Sequence, residues 1–152
     1  MLRDVRTLDR KIEDLNGRIE AEVEASGTTL TEIYGIGPIL AARIIGTVGN
    51  VARFPTKSHF ASYSGTAPVE ASSGEVVRHR LSLAGNRKLN NALHMVALCQ
   101  ARSDVRGKTY YRKKIAEGKS RKEALRCLKR RISDAVFRSL SADSRAPSQR
   151  AA

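Results

Sequence analysis

Residues 30–45 read Leu-Thr-Glu-Ile-Tyr-Gly-Ile-Gly-Pro-Ile-Leu-Ala-Ala-Arg-Ile-Ile, and their spacing predicts a short helix, a tight glycine turn and a second helix. Thr29 and Glu32 stand at capping-box spacing, in which each side chain satisfies a backbone N–H of the other residue. Gly35 and Gly37 permit positive φ and close backbone approach. Pro38 suits a first helical position because it has no N–H to lose, and the small Ala41 and Ala42 let two helices pack closely. The stretch 29–48 thus reads as a helix-hairpin-helix, whose amides at Gly35 and Gly37 can hold a nucleic-acid phosphate without reading a base. A helix corner that serves packing alone has the same signature.

Around this corner the chain has 152 residues, which suits one domain with an appendage. Its residues are 41% hydrophobic but only 5% aromatic, with no Trp, so the core is expected to be aliphatic and the fold mainly α. No apolar run approaches the roughly 20 residues of a membrane span, and Met1-Leu2-Arg3-Asp4 does not begin a signal peptide, so a cytoplasmic protein without a membrane partner is expected. Cys99 and Cys127 sit singly in helical patterns, as reduced thiols do.

Charge is one-sided. Residues 1–30 carry 5 basic and 7 acidic side chains, residues 31–77 carry 3 and 3, and residues 78–152 carry 20 and 5, for a net charge of +13. A field of that asymmetry attracts phosphate backbones and makes binding salt-dependent. The first segment, 1–25, is instead a heptad, with Val5, Ile12 and Ile19 at a and Leu8 and Leu15 at d, the pattern of a two-stranded coiled coil. So short a coiled coil needs a partner to cover its stripe; a homodimer through 5–19 is expected, its orientation left open. An amphipathic helix packed on its own domain is the other reading of the same stripe.

Beyond residue 50, Phe54, Phe60 and Tyr63 are expected to anchor a short helix from Thr56 to Ser64. Two extended runs, Ala67–Glu70 and Glu75–Arg80, read as a short β-hairpin tipped by Ser73-Gly74 within a loop spanning 68–80. Long basic helices follow over 85–140. One starts at Gly85-Asn86 with the apolar face Leu89, Leu93, Val96, Ala97 and Cys99, and carries Arg87 and Lys88 in its first turn, a placement that suits a docked anion. A second carries Tyr110, Tyr111 and Ile115 and stops at Gly118. The last opens on the capping box Ser120–Glu123 and buries Leu125, Leu128, Ile132 and Val136. Its other side, with Arg121, Lys122, Arg126, Lys129, Arg130, Arg131 and Arg138, reads as the best polyanion-binding face. Residues 141–152, rich in Ser, Ala, Arg and Pro, are expected to be disordered.

Chemistry is sparse. The acidic residues after residue 30 show no spacing that would gather them around a divalent cation, and His59, His79 and His94 are too scattered for zinc, so no metal site is expected. Ser73 is the remaining nucleophile candidate, with Arg78 and Arg80 placed to hold a phosphate. By composition alone a Ser-Gly turn without chemistry is the more ordinary reading.

The order of pieces changes that balance. Leu30–Ile45, Phe54–Gly65, Pro68, Ser73-Gly74, Arg80-Leu81-Ser82 and Gly85-Asn86-Arg87-Lys88-Leu89, continuing through Tyr111 and Gly118-Lys119, resemble the C-terminal domain of the IS110 family of bacterial insertion-sequence transposases. The resemblance implies DNA strand cleavage and exchange through a serine that becomes linked to DNA, matching Ser73, with the adjacent Ser72 as the alternative. It further implies a coiled-coil dimer, a structured guide RNA, and an N-terminal RuvC-like domain that holds Mg2+. No acidic domain of that kind is present here, so a fragment, a truncated reading frame or a separately made piece is expected, incomplete in strand transfer and needing no cofactor of its own. Two alternatives remain. Leu30–Gly37 also resembles small-subunit ribosomal protein thirteen, a non-enzymatic RNA binder, and a coiled-coil fragment could regulate the whole transposase through mixed dimers.

Overall fold

The computed structural model describes the backbone of residues 1–73, 76–80 and 85–146, and the side chains of 1–68 and 85–146. The fold is mainly α. Helix α1 runs Leu2–Ser26, α2 Pro38–Val48, α3 Lys57–Tyr63, α4 Arg87–Arg102, α5 Arg106–Ala116 and α6 Arg121–Arg145; strands β1, Val69–Ser73, and β2, Val76–Arg80, lie between α3 and α4.

Helix α6 is the spine. Its buried residues Ala124, Leu128, Ile132, Val136 and Leu140 recur every fourth position. Each such step advances about 40° around a helix of 3.6 residues per turn, so the buried line winds and the helix packs in turn on α5, α4 and α3. Leu89, Leu93 and Val96 of α4, Ile44 and Val48 of α2, and Phe60 of α3 complete an aliphatic core with one buried aromatic ring. The expected capping box opens α6: Glu123 N–H donates to Ser120 Oγ (3.2 Å) and Ser120 N–H to Glu123 Oε2 (2.8 Å). The bond from the Ser120 backbone N–H, first of all, holds the Glu123 carboxyl below its ordinary range.

The C-terminal segment corrects the expectation of disorder. Helix α6 continues through Arg145, because Asp143 staples it to the loop after α1. The Asp143 carboxylate accepts from Thr28 Oγ1 (2.9 Å), Thr29 N–H (3.0 Å) and Thr29 Oγ1 (2.8 Å). Residues 147–152 lie outside the described residues.

The corner at 29–48 also differs from its reading. A single 3-10 turn, Leu30–Glu32, replaces the first helix, and Thr29 makes no cap to it. The reason is that Asp143 and Ser139 take the Thr29 hydroxyl. Gly35 has φ +92°, whereas Gly37 is extended (φ −86°) and serves as the N-cap residue before Pro38.

Helix α1 packs on α2 only near its C-terminal end, where Val23 is buried and Ile19 partly so. Val5, Leu8, Ile12 and Leu15 are each more than half exposed. The heptad stripe therefore stands largely uncovered in the single chain. Among the described residues no helix is long and apolar enough to cross a membrane.

Candidate nucleic-acid interface

The segment carrying Ser73 rises from a knot of backbone contacts. Strands β1 and β2 pair antiparallel, with Ser73 opposite Val76, Ala71 opposite Arg78 and Val69 opposite Arg80; Gly74 lies outside the described residues. At the root, Gly65 (φ +72°) lies so close to Gly85 that a Cβ on Gly85 would meet the backbone N and Cα of Gly65, and Ser64 C at 3.0 Å. No larger residue fits there without moving backbone. The two chain ends are then tied together: Asn86 N–H donates to Tyr63 O (2.6 Å) and Asn86 Nδ2 to Tyr63 Oη (3.2 Å). Asn90 Nδ2 donates to the carbonyls of Ser64 and Gly65 at 3.1 Å each. Beneath them, the buried hydroxyls of Ser64, Thr66 and Ser133 bond one another at 3.0 and 3.2 Å.

Lys129 belongs to this root and not to the solvent face on which its sequence position suggested it lies. It is 5% exposed, and its Nζ donates to Asn90 Oδ1 at 2.7 Å. Burial lowers its pKa, and the His94 pKa is lowered first by that residue's own burial and then by the Lys129 charge. The helical pattern held the signal, since 129, 132, 133 and 136 follow i, i+3, i+4, i+7 and all four are buried.

The rest of the α6 face is partly used internally. Arg130 Nε pairs with Asp134 Oδ1 at 3.1 Å, Arg126 Nε reaches Lys122 O at 3.4 Å, and the Arg131 guanidinium lies 4.4 Å over the Tyr110 ring. Arg121 and Lys122 in its first turn are exposed, as are Arg87 and Lys88 in the first turn of α4. These groups do not converge. Arg121 lies eight residues before Lys129, about 12 Å along α6. Gly35 packs against Val96 and Cys99, where an added Cβ would lie 3.3 Å from Val96 Cγ1; that is about 14 Å along α4 from Arg87. The glycine corner and the root of the hairpin are therefore separate places.

One cation was missed by sequence reasoning. A 3-10 turn, Val51–Arg53, is capped by Asn50 Oδ1 accepting from Ala52 N–H (3.0 Å) and anchored by buried Val51. It lays the Arg53 guanidinium 4.6 Å over the ring of Phe54 and 4.5 Å over that of Tyr63. The two rings lie 5.1 Å apart, and Phe54 meets Phe60 edge-on at 5.3 Å. Only the aromatic Phe54 beside Arg53 hinted at this in the sequence, because Tyr63 arrives through the fold.

Among the described residues no three His, Cys, Asp or Glu side chains gather as metal ligands, so this part of the chain does not fit the Mg2+ that the resemblance assigned to another domain.

Residues 27–112, which span the glycine corner, the serine segment, α4 and most of α5, match the family described as Transposase IS116/IS110/IS902. The chain belongs to that transposase family. It is 37% identical over 123 residues, 78% of its own length, to an insertion element IS110 43.6 kDa protein of Streptomyces coelicolor. An insertion element IS900 42 kDa protein of Mycobacterium paratuberculosis is 30% identical over 86% of the chain, and an IS116 44.8 kDa protein of Streptomyces clavuligerus is 28% identical over 86%. The chain spans 30%, 34% and 33% of these three relatives. A family match of this extent outweighs the ribosomal likeness, which rested on Leu30–Gly37 alone.

Proposed function

We propose that this transposase-family chain binds nucleic acid and supplies the serine nucleophile, Ser73, for DNA strand cleavage and exchange. The observation that carries the reading is the family match running unbroken through the hairpin whose first strand ends at Ser73. In such a step the serine oxygen bonds to phosphorus, one strand end leaves, and cations hold the phosphate oxygens while charge develops. Arg78, Arg80, Arg87 and Lys88, on the serine segment and just after it, supply those cations; Arg121, Lys122 and Arg126 hold other phosphates of the strand along α6, and Gly35 and Gly37 offer backbone amides at the separate corner. Lys129 and Arg130 act from within, one bonded to Asn90 and the other to Asp134. A Mg2+-holding domain elsewhere completes the reaction, and a structured RNA directs it.

The exposed stripe Val5–Leu15 supports a homodimer through 5–19. A chain of this kind also forms mixed dimers with a longer relative.

Trapping with a labelled DNA substrate tests the reading. With a Mg2+-holding partner domain added, a covalent protein–DNA band is expected on a denaturing gel, lost in Ser73→Ala and kept in Ser72→Ala. The reverse pattern assigns Ser72, and a band that survives both changes refutes the serine mechanism. A stoichiometric adduct formed by this chain alone refutes its dependence on another domain.

A further inference from the structure

The geometry points to a phosphodiester clamp at the root of the serine hairpin, in which the stacked guanidinium of Arg53 acts with Arg87 and Lys88 on the backbone of one nucleic-acid strand. The inference rests on the reading that the chain handles nucleic acid, and it adds to that reading a grip on the strand by cations that do not belong to α6.

Arg53 is exposed, yet its guanidinium is held against two rings, 4.6 Å from the centroid of Phe54 and 4.5 Å from that of Tyr63. Contact with the rings engages the π-face side of the guanidinium and leaves N–H donors of its planar fork to meet an acceptor. None of the ion pairs among the described residues involves Arg53, Arg87 or Lys88; they are Met1–Asp4, Lys114–Glu117 and Arg130–Asp134. The same ring that carries Arg53 ties it to the other two cations, because Tyr63 Oη accepts from Asn86 Nδ2 and Arg87 and Lys88 follow directly. Among the described residues these three cations have no acidic partner, and the Tyr63–Asn86 hydrogen bond links the segments that carry them. Their ligand needs several anionic oxygens spaced along a chain, which is the chemistry of a phosphodiester backbone. Arg131 makes the contrast: it too stacks on a ring, but Lys114 lies over that same ring, at 5.4 Å, and is paired with Glu117.

DNA and RNA share this chemistry, so the test uses three fluorescent oligonucleotides of one mixed sequence: single-stranded DNA, duplex DNA and single-stranded RNA. Anisotropy titrations of the full chain at several KCl concentrations compare Arg53→Ala, Arg53→Lys and Arg145→Ala, each with unchanged helical circular dichroism. Arg53→Ala is expected to weaken binding about three- to tenfold in at least one arm and to lower the salt slope there by about 0.7 for a single strand or 0.9 for a duplex. Arg53→Lys, which keeps the charge and loses the planar stack, is expected to fall between. Equal losses for Arg53→Ala and the distant Arg145→Ala overturn the clamp, and Arg53→Lys binding as tightly as the unaltered chain overturns the stacked fork. Absence of binding to every oligonucleotide by the unaltered chain overturns the nucleic-acid reading itself.

Discussion

Replacing Gly85 by alanine should damage this fold more than its single methyl group suggests. The added carbon would lie against Gly65 N and Cα and 3.0 Å from Ser64 C, whereas carbon atoms rest about 3.5–4.0 Å apart. The obstacle is main chain, so no side-chain rotation relieves it, and the two segments must part by about 1 Å. The bonds across that gap cannot stretch so far: Asn86 N–H to Tyr63 O at 2.6 Å and the two from Asn90 Nδ2 at 3.1 Å. Two or three lost bonds at about 1 kcal/mol each, with about 1–3 kcal/mol of overpacking, give a loss of about 3–6 kcal/mol. Urea unfolding followed by helical circular dichroism, at one fixed protein concentration, measures it. Gly37→Ala is the control, because nothing lies within 4 Å of its Cβ and its φ is negative. If Gly85→Ala stays within about 0.5 kcal/mol of the unaltered chain, the root is not the rigid contact described here.

Three further outcomes are expected. Asp143→Ala removes the acceptor of three hydrogen bonds and should cost about 1–3 kcal/mol while exposing Arg145 to trypsin; unchanged cleavage at that site would show the staple is not what holds the end of α6. The His94 imidazole is held below its ordinary pKa, first by burial and then by Lys129. The unfolded state therefore binds the proton more readily, so stability should rise with pH between the folded value and about 6.5 and level off above it. His94→Gln should flatten that rise in a series of melting curves, and an unchanged slope would assign it to other groups. Gly17→Ala, in open space on α1, should raise stability by up to about 1 kcal/mol in the same urea assay, and a loss would mean that this surface is covered.

What could be read from sequence divides by distance along the chain. The Ser120–Glu123 box, the Asn86 cap and the Thr56 cap are made by neighbours, and local chemistry announces them. The Thr29–Glu32 spacing announces a box just as clearly, but Asp143, 114 residues away, takes the hydroxyl first. Lys129 reads as one more cation in a basic run until Asn90, 39 residues earlier, is brought over it. Arg53 gains its second ring from Tyr63, which no helical or strand period connects to it. Composition likewise counted Lys129, Arg130 and Arg131 with the cations that face solvent, because cations that pack, pair or lie over a ring count the same in a sequence as those that do not.

The contact of Gly65 with Gly85 also makes the molecule divisible. A segment that leaves and re-enters the helical body at one point imposes no span between its ends. Its length can change at small entropic cost, about 0.6 kcal/mol for each doubling, while the packing of α3, α4 and α6 stays as it is. The segment and its mount are thereby separable in physical terms: the closure fixes where the chain leaves the helical body and where it returns, not how many residues lie between, provided the two glycines that make the junction remain.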